Sequence, residues 1–394
     1  MSEVVDLFVE LAALPTPPGE ERAAADVVLR YLTDLGLSPD EDDCGPRIGS
    51  TMGNVYARIE ATAPGTPLFF CAHLDTVPPS GRLEPVLEEG VVRNAGGTIL
   101  GADNKSAVAA MLEGTRRVLA ENRPHAGIEL LFTPMEEVGL IGADAFDQSR
   151  LHADVGYVYD QAAPIGEVIL GAPWSQSMQV RFHGRASHSG MFPEEGRSAI
   201  QAAARAIADL RLGRVDEGTT ANVGVIEGGT AGNIVPEWCT FLAEARCQDE
   251  DKLRDFVQEM LDAFSFAATS TDCEVETELR KSYVGYRFKQ SDDVVRLAAQ
   301  ALSACGHDVS YALSGGGADA NVFNEHGKRC VNLANGMADI HTPTEHISVA
   351  DLEAMVDVTL ALLDAASVGG KAADARQEDP RASFGDSSGA AREG

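Results

Sequence analysis

Apolar positions along the chain fall into short runs that stop abruptly at polar or acidic residues: Leu68-Phe69-Phe70-Cys71-Ala72, Ile128 to Phe132, Val155 to Tyr159 and Cys330 to Leu333. Runs that are apolar at every position, rather than at alternate ones, predict parallel strands buried on both faces. Between the first two, the stretch from Asn104 to about Asn122 is dense in Ala and Leu, which predicts a helix packed on the sheet. The alternation predicts an α/β fold, a mixed and mostly parallel sheet sandwiched by helices.

From Ser175 to Tyr283 the pattern changes. It predicts a strand at Ser177 to Phe182, a helix at Arg197 to Leu212, strands near 220–227 and 238–246, a helix at Asp251 to Phe266 and a strand at Cys273 to Lys281. That βαββαβ order is ferredoxin-like, an α+β unit able to fold as an inserted domain. The α/β pattern resumes at Asp292, so the expected division is 1–174 and 284–368 for the two parts of one domain and 175–283 for the insertion. A last helix is expected from Ser348, which can cap it with Asp351, to about Ala366. Residues 369–394, rich in Gly, Ala, Ser and charge, are expected to form a disordered tail. No internal repeat is present.

With 394 residues, 44% of them hydrophobic, the chain can bury a sizeable core. No window approaches the roughly 18 uninterrupted apolar residues of a spanning helix, and Met1 to Asp6 has neither a positive n-region nor an apolar h-region, so a cytoplasmic protein with no membrane partner is expected. The 61 acidic residues outnumber 31 basic ones, giving a charge of −30. That field opposes a phosphate backbone, excludes nucleic acid as an expected partner, and suits a salt-rich cytoplasm. Seven scattered cysteines without a C-x-x-C pair are expected to be reduced, with Cys71 and Cys330 as core thiols.

The predicted strand ends carry the chemistry. His73-Leu74-Asp75-Thr76 closes the first buried run, Glu136-Glu137 follows the second and Asp160 ends the third, so all should meet at one sheet edge, where open α/β sheets bind ligands. Asp103 precedes the helix and His341 follows a later strand. Singly, Asp103 reads as a helix cap, Glu136-Glu137 as solvated acids and His341 as a loop histidine. Together, imidazole and carboxylate suit divalent ions, above all zinc, and one carboxylate bridging two ions would account for the surplus of acids.

The motifs His73-Leu74-Asp75-Thr76-Val77, Gly101-Ala102-Asp103-Asn104-Lys105, Glu136-Glu137-Val138-Gly139 and His341-Thr342-Pro343 resemble those of the dinuclear-zinc exopeptidase and aminoacylase family, in family order. The resemblance spans residues 14–366, looks closest to the peptidase T-like branch, and implies that the insertion is a lid over the metal site. It further implies that His73 and Asp160 hold one ion, Glu137 and His341 the other, that Asp103 bridges them, and that the peptide bond from Asp103 to Asn104 is cis. By the same resemblance, Asp75 orients the far nitrogen of His73, and Glu136 is the general base that takes a proton from the attacking water and hands it to the departing amine. Cobalt and manganese suit the same donors.

Within the insertion, Gly184-Arg185-Ala186-Ser187-His188-Ser189-Gly190 resembles the family's lid motif, whose histidine serves the oxyanion and in dimeric relatives comes from the neighbouring subunit. A homodimer through the lid is therefore admitted, as is a turn histidine without a role. Asn233 and Arg246 match substrate-contacting positions; a turn asparagine and a surface arginine are the plain alternatives. Gly317, in the Gly315-Gly316-Gly317-Ala318-Asp319 loop, is expected to shape the substrate floor. The resemblance implies an aminopeptidase acting on tripeptides and dipeptides, with an N-acyl amino acid deacylase or a carboxypeptidase as the alternative. A binding protein without turnover would be expected to lack Glu136, which is present.

Overall fold

A computed structural model describes residues 2–374. The four apolar runs become neighbouring parallel strands, in the order Ile128–Thr133, Leu68–His73, Val155–Gln161 and Arg329–Ala334. They form the middle of a nine-stranded sheet, whose outer members include Val55–Ile59, antiparallel beside Ile128–Thr133, and Glu167–Ala172 beside Arg329–Ala334.

Every residue of Leu68–His73 is buried because both faces of the sheet are covered. Leu68, Phe70 and Ala72 pack with the helices Glu3–Ala12, Arg22–Asp34, Ala102–Ala120 and Val349–Asp374. Phe69 and Cys71 face the other way, towards Phe146, Phe323 and Cys330. Each fully buried Phe or Leu contributes roughly 1.5–3 kcal/mol, so this two-sided core fixes where the strands end. At Gly156, beside Phe69, an added Cβ would lie 2.2 Å from the Phe69 ring. Gly156→Ala should therefore cost about 1–3 kcal/mol through overpacking. Thermal unfolding checks this, and an unchanged midpoint would contradict it.

The inserted segment forms a separate five-stranded antiparallel sheet in the order Gly213–Asp216, Thr219–Gly228, Trp238–Cys247, Trp174–His183 and Glu274–Tyr283. Helices Ala199–Asp209 and Glu250–Ser270 cover one face and share a core with Met178, Val180, Phe182 and Phe241. Setting aside the short strand Gly213–Asp216, the βαββαβ order and sheet arrangement are ferredoxin-like. That short strand and the small sheet of Pro85–Glu88, Val91–Asn94 and His346–Ser348 carry too little apolar pattern to be read from sequence.

The last helix, Val349–Asp374, starts as expected: Ser348 Oγ accepts from the Asp351 amide at 2.9 Å and donates to Asp351 Oδ2 at 2.6 Å. It continues past Ala366 through Gly369-Gly370, so the expected break at residue 369 is corrected. A helix already nucleated by packed residues such as Leu352, Met355 and Val356 gains one hydrogen bond per added residue, which tolerates two glycines. The rest of the expected tail, 375–394, lies outside the described residues. No described helix is long and apolar enough to cross a membrane.

Candidate active site

The carboxyl ends of the central strands deliver the acids and imidazoles to one place. His73 closes its strand with Nε2 at 3.2 Å from Asp103 Oδ1, 3.7 Å from Asp160 Oδ1 and 4.0 Å from Glu136 Oε2. Its Nδ1 lies 2.9 Å from the Asp75 carbonyl, which can only accept, so Nδ1 carries a proton and Nε2 is the ring nitrogen turned towards the acids. His341, in a turn with φ of 64°, places Nε2 at 2.9 Å from Glu137 Oε1 and 3.2 Å from Asp103 Oδ2. The Asp103 carboxylate thus presents one oxygen to each histidine. The Asp103–Asn104 peptide is cis.

Asp75 reaches His73 through two oxygens and also holds the turn that carries the two glutamates. Its carboxylate is 3.5 Å from His73 Nδ1, and its main-chain carbonyl accepts from the same Nδ1 at 2.9 Å. The carboxylate accepts the amides of Glu136 at 2.9 Å and Glu137 at 3.0 Å, one on each oxygen. Buried Glu21 accepts the preceding amide, Met135, at 3.2 Å. Two carboxylates therefore hold three successive N–H groups, and the adjacent glutamates leave that turn with their side chains directed to different partners.

Two overlapping groups have ligand atoms within 4.8 Å of one another: His73 with Glu136 and Asp160, and His73 with Asp103 and Glu137. The donor set is nitrogen and carboxylate oxygen, suited to a divalent ion such as zinc. Electrostatics point the same way. Burial, with the neighbouring Asp103 charge, pushes the Asp160 carboxyl up to about 7, and burial pushes Glu136 well above the ordinary range. Burial also opposes the charge on Asp103, yet hydrogen bonds from His341 and His73 hold it well below the usual carboxylate range. The Asp103 and Glu137 carboxylates raise His341 to about 10. So many buried acids sharing two imidazoles lack positive charge, which divalent cations would supply.

A cavity of about 710 Å³ opens above this centre between the two sheets. Asp103, Glu136, Glu137, Asp160 and His341 line one side, and Arg246 with the Ser314–Gly317 loop lines the other. Arg246 bonds the Gly315 carbonyl at 3.4 Å and Glu244 at 3.1 Å, while its buried Nε has no partner. Across the sheet Arg246 pairs with Ser175, and Ser175 with Tyr283. The hydroxyls of Ser175 and Tyr283 are also buried and unpartnered. Gly317 leaves room for the Tyr283 ring, which an added Cβ would meet at 2.7 Å.

His188 and Asn233 do not join this cavity. They adjoin each other, with the Ser189 amide bonded to the Asn233 carbonyl, near the end of the lid sheet where Trp238 pairs with His183. The cavity lies at the Arg246–Ser175 end, eight residues along the strand, or about 26 Å at about 3.3 Å per residue. His188 Nδ1 accepts the Gly190 and Met191 amides at 3.2 Å each, which leaves Nε2–H as an exposed donor. Nothing in the sequence marks Glu21, Ser175, Tyr283 and Glu345 as site residues. Only Glu345, four residues after His341, stood near enough to a motif to be noticed.

Acids and imidazoles gathered at the strand ends of an α/β sheet, under an inserted α+β lid, define a metal-dependent hydrolase. The profile of Peptidase family M20/M25/M40 matches residues 69–365, and the chain belongs to that family. Uncharacterized protein YqjE of Bacillus subtilis (strain 168) is 38% identical over 364 residues, covering 92% of this chain and 98% of that one. The crystal structure of aminopeptidase PepT from Bacillus cereus ATCC 10987 is similar with a TM-score of 0.83 and 37% identity, over 93% of this chain and 98% of that one. A tripeptidase from Staphylococcus aureus subsp. aureus Mu50 gives a TM-score of 0.87 at 32% identity with the same coverage. The chain is an enzyme related to these peptidase T-like aminopeptidases, with a candidate dinuclear metal centre.

Proposed function

We propose that the protein is a two-zinc aminopeptidase that releases the N-terminal residue of tripeptides and dipeptides. The observation that carries the metal part of this reading is the Asp103 carboxylate, set with one oxygen towards each histidine. His73 and Asp160 would hold one ion, Glu137 and His341 the other, and Asp103 both; cobalt or manganese would suit the same donors. Divalent ions held there supply Lewis acidity towards the scissile carbonyl and the attacking water. Glu136 takes the water's proton on its carboxylate and delivers it to the departing amine. Asp75 keeps Glu136 and Glu137 apart in their tasks by holding both amides. The peptidase names of the relatives at 37% and 32% identity support the substrate class. The reading is tested by mass-spectrometric product analysis: N-terminal trimming of tripeptides supports it, and selective hydrolysis of N-acyl amino acids moves the protein to the deacylases.

Arg246, Ser175 and Tyr283 line the cavity and each has a donor without a partner, which suits a substrate carboxylate. Tyr283→Phe should raise KM for tripeptides about 10-fold with little change in kcat, as expected for a lost hydrogen bond to a charged group. Peptides amidated at the C-terminus should be insensitive to the substitution, and equal effects on both would contradict this role.

The distance of His188 and Asn233 from the cavity supports a homodimer through the lid, in which each subunit lends them to its partner. Exposed Ile226, Ile234 and Trp238 at that end suit such an interface. His188→Ala and Glu136→Ala chains, each inactive, should regain about a quarter of wild-type activity when mixed and allowed to exchange, since half the dimers then hold one intact site. No recovery despite exchange would place His188 outside the reaction. The seven unpaired cysteines suit the reducing cytoplasm.

A further inference from the structure

The turn that presents His341 is fastened to the loop that presents Asp103. Glu345 is 2% exposed, and its carboxylate accepts three main-chain N–H groups: Leu100 at 2.7 Å and Gly101 at 2.9 Å on Oε2, and Asp103 at 3.0 Å on Oε1. These donors converge because Gly101 has a φ of 79° and Asp103 departs from helical geometry, which turns successive N–H groups towards one anion. On the other side, the Glu345 amide bonds the Thr342 carbonyl at 3.1 Å and the Thr342 hydroxyl bonds the Asp339 carbonyl at 2.7 Å. His341 and Glu345 therefore sit in one closed turn.

We propose that Glu345 is a positioning residue for the ion pair, holding the Leu100–Asp103 loop and the His341 turn on one side chain and so setting the Asp103–His341 separation. The inference rests on the dinuclear reading above. It differs from a purely structural role, of which Glu129 is the example: also buried, Glu129 accepts the His152 and Ala153 amides and the Tyr56 hydroxyl, at the end of its strand opposite the turn that carries Glu136 and Glu137. In Glu345→Gln the side-chain NH₂ would oppose a main-chain N–H, while the volume is kept.

The test is titration of the metal-free full-length protein with Co²⁺, followed by calorimetry and by the visible spectrum of the bound ion, with thermal unfolding of each metal-free variant alongside. Wild type should bind two ions. Glu345→Gln should bind at least one of them about 10–100-fold more weakly with a changed spectrum. Glu129→Gln should lose comparable thermal stability and bind both ions as wild type does. Should Glu345→Gln fail to fold, Glu345→Asp, which keeps the charge but is shorter, is expected to show the same weakening. Wild-type affinities and spectrum in the folded Glu345 variant, or equal weakening in Glu129→Gln, would overturn the proposal. A wild type that binds fewer than two ions would instead overturn the dinuclear reading, and the proposal with it.

Discussion

Glu136→Ala should lower kcat by about 10²–10⁴-fold, the range for removing a general base, while zinc content by elemental mass spectrometry stays near wild type. The Glu136 amide is held by Asp75, so its carboxylate is brought into the cavity by a fixed turn rather than a mobile loop. Its carboxylate nevertheless lies 4.0 Å from His73 Nε2, close enough to belong to a ligand group with His73 and Asp160. The two outcomes separate cleanly. Loss of turnover with metal retained makes Glu136 the base, whereas loss of an ion makes it a ligand.

Asp103→Asn should abolish activity by a different route, lowering affinity for the ions by more than the roughly 10–100-fold typical of residues outside the coordination shell. Asparagine keeps the shape but brings a neutral amide with only one oxygen, whereas both Asp103 oxygens face a histidine in the native site. Since His73 and His341 meet the same carboxylate, both ions should weaken together. Calorimetric titration checks this; a variant that still binds two ions with native affinity would remove Asp103 from the bridge.

Much of the centre was legible because it sits where strong apolar runs stop. Strands buried on both faces announce themselves as uninterrupted apolar sequence, and their ends place His73, Glu136 and Asp160 without knowledge of the fold. What escaped depends on partners distant in sequence. Ser175 and Tyr283 become neighbours of Arg246 only through the lid register, and nothing local distinguishes them. The main-chain carbonyl of Asp75, which makes the shorter contact with His73, is likewise invisible as a candidate in sequence. Glu21 and Glu345 escaped for a related reason, since each binds main-chain amides, which leave no signature in side-chain patterns. His188 was legible as a motif, yet its distance from the cavity depends on the length of the lid strands.

The most direct test of the two-metal aminopeptidase activity is to identify by mass spectrometry the products formed from an unmodified tripeptide by the zinc-loaded protein, with metal-free protein and Glu136→Ala as controls. The expected products are a free N-terminal amino acid and the remaining dipeptide, from the zinc-loaded wild type alone. Release of the C-terminal residue, or equal turnover by either control, would contradict that activity.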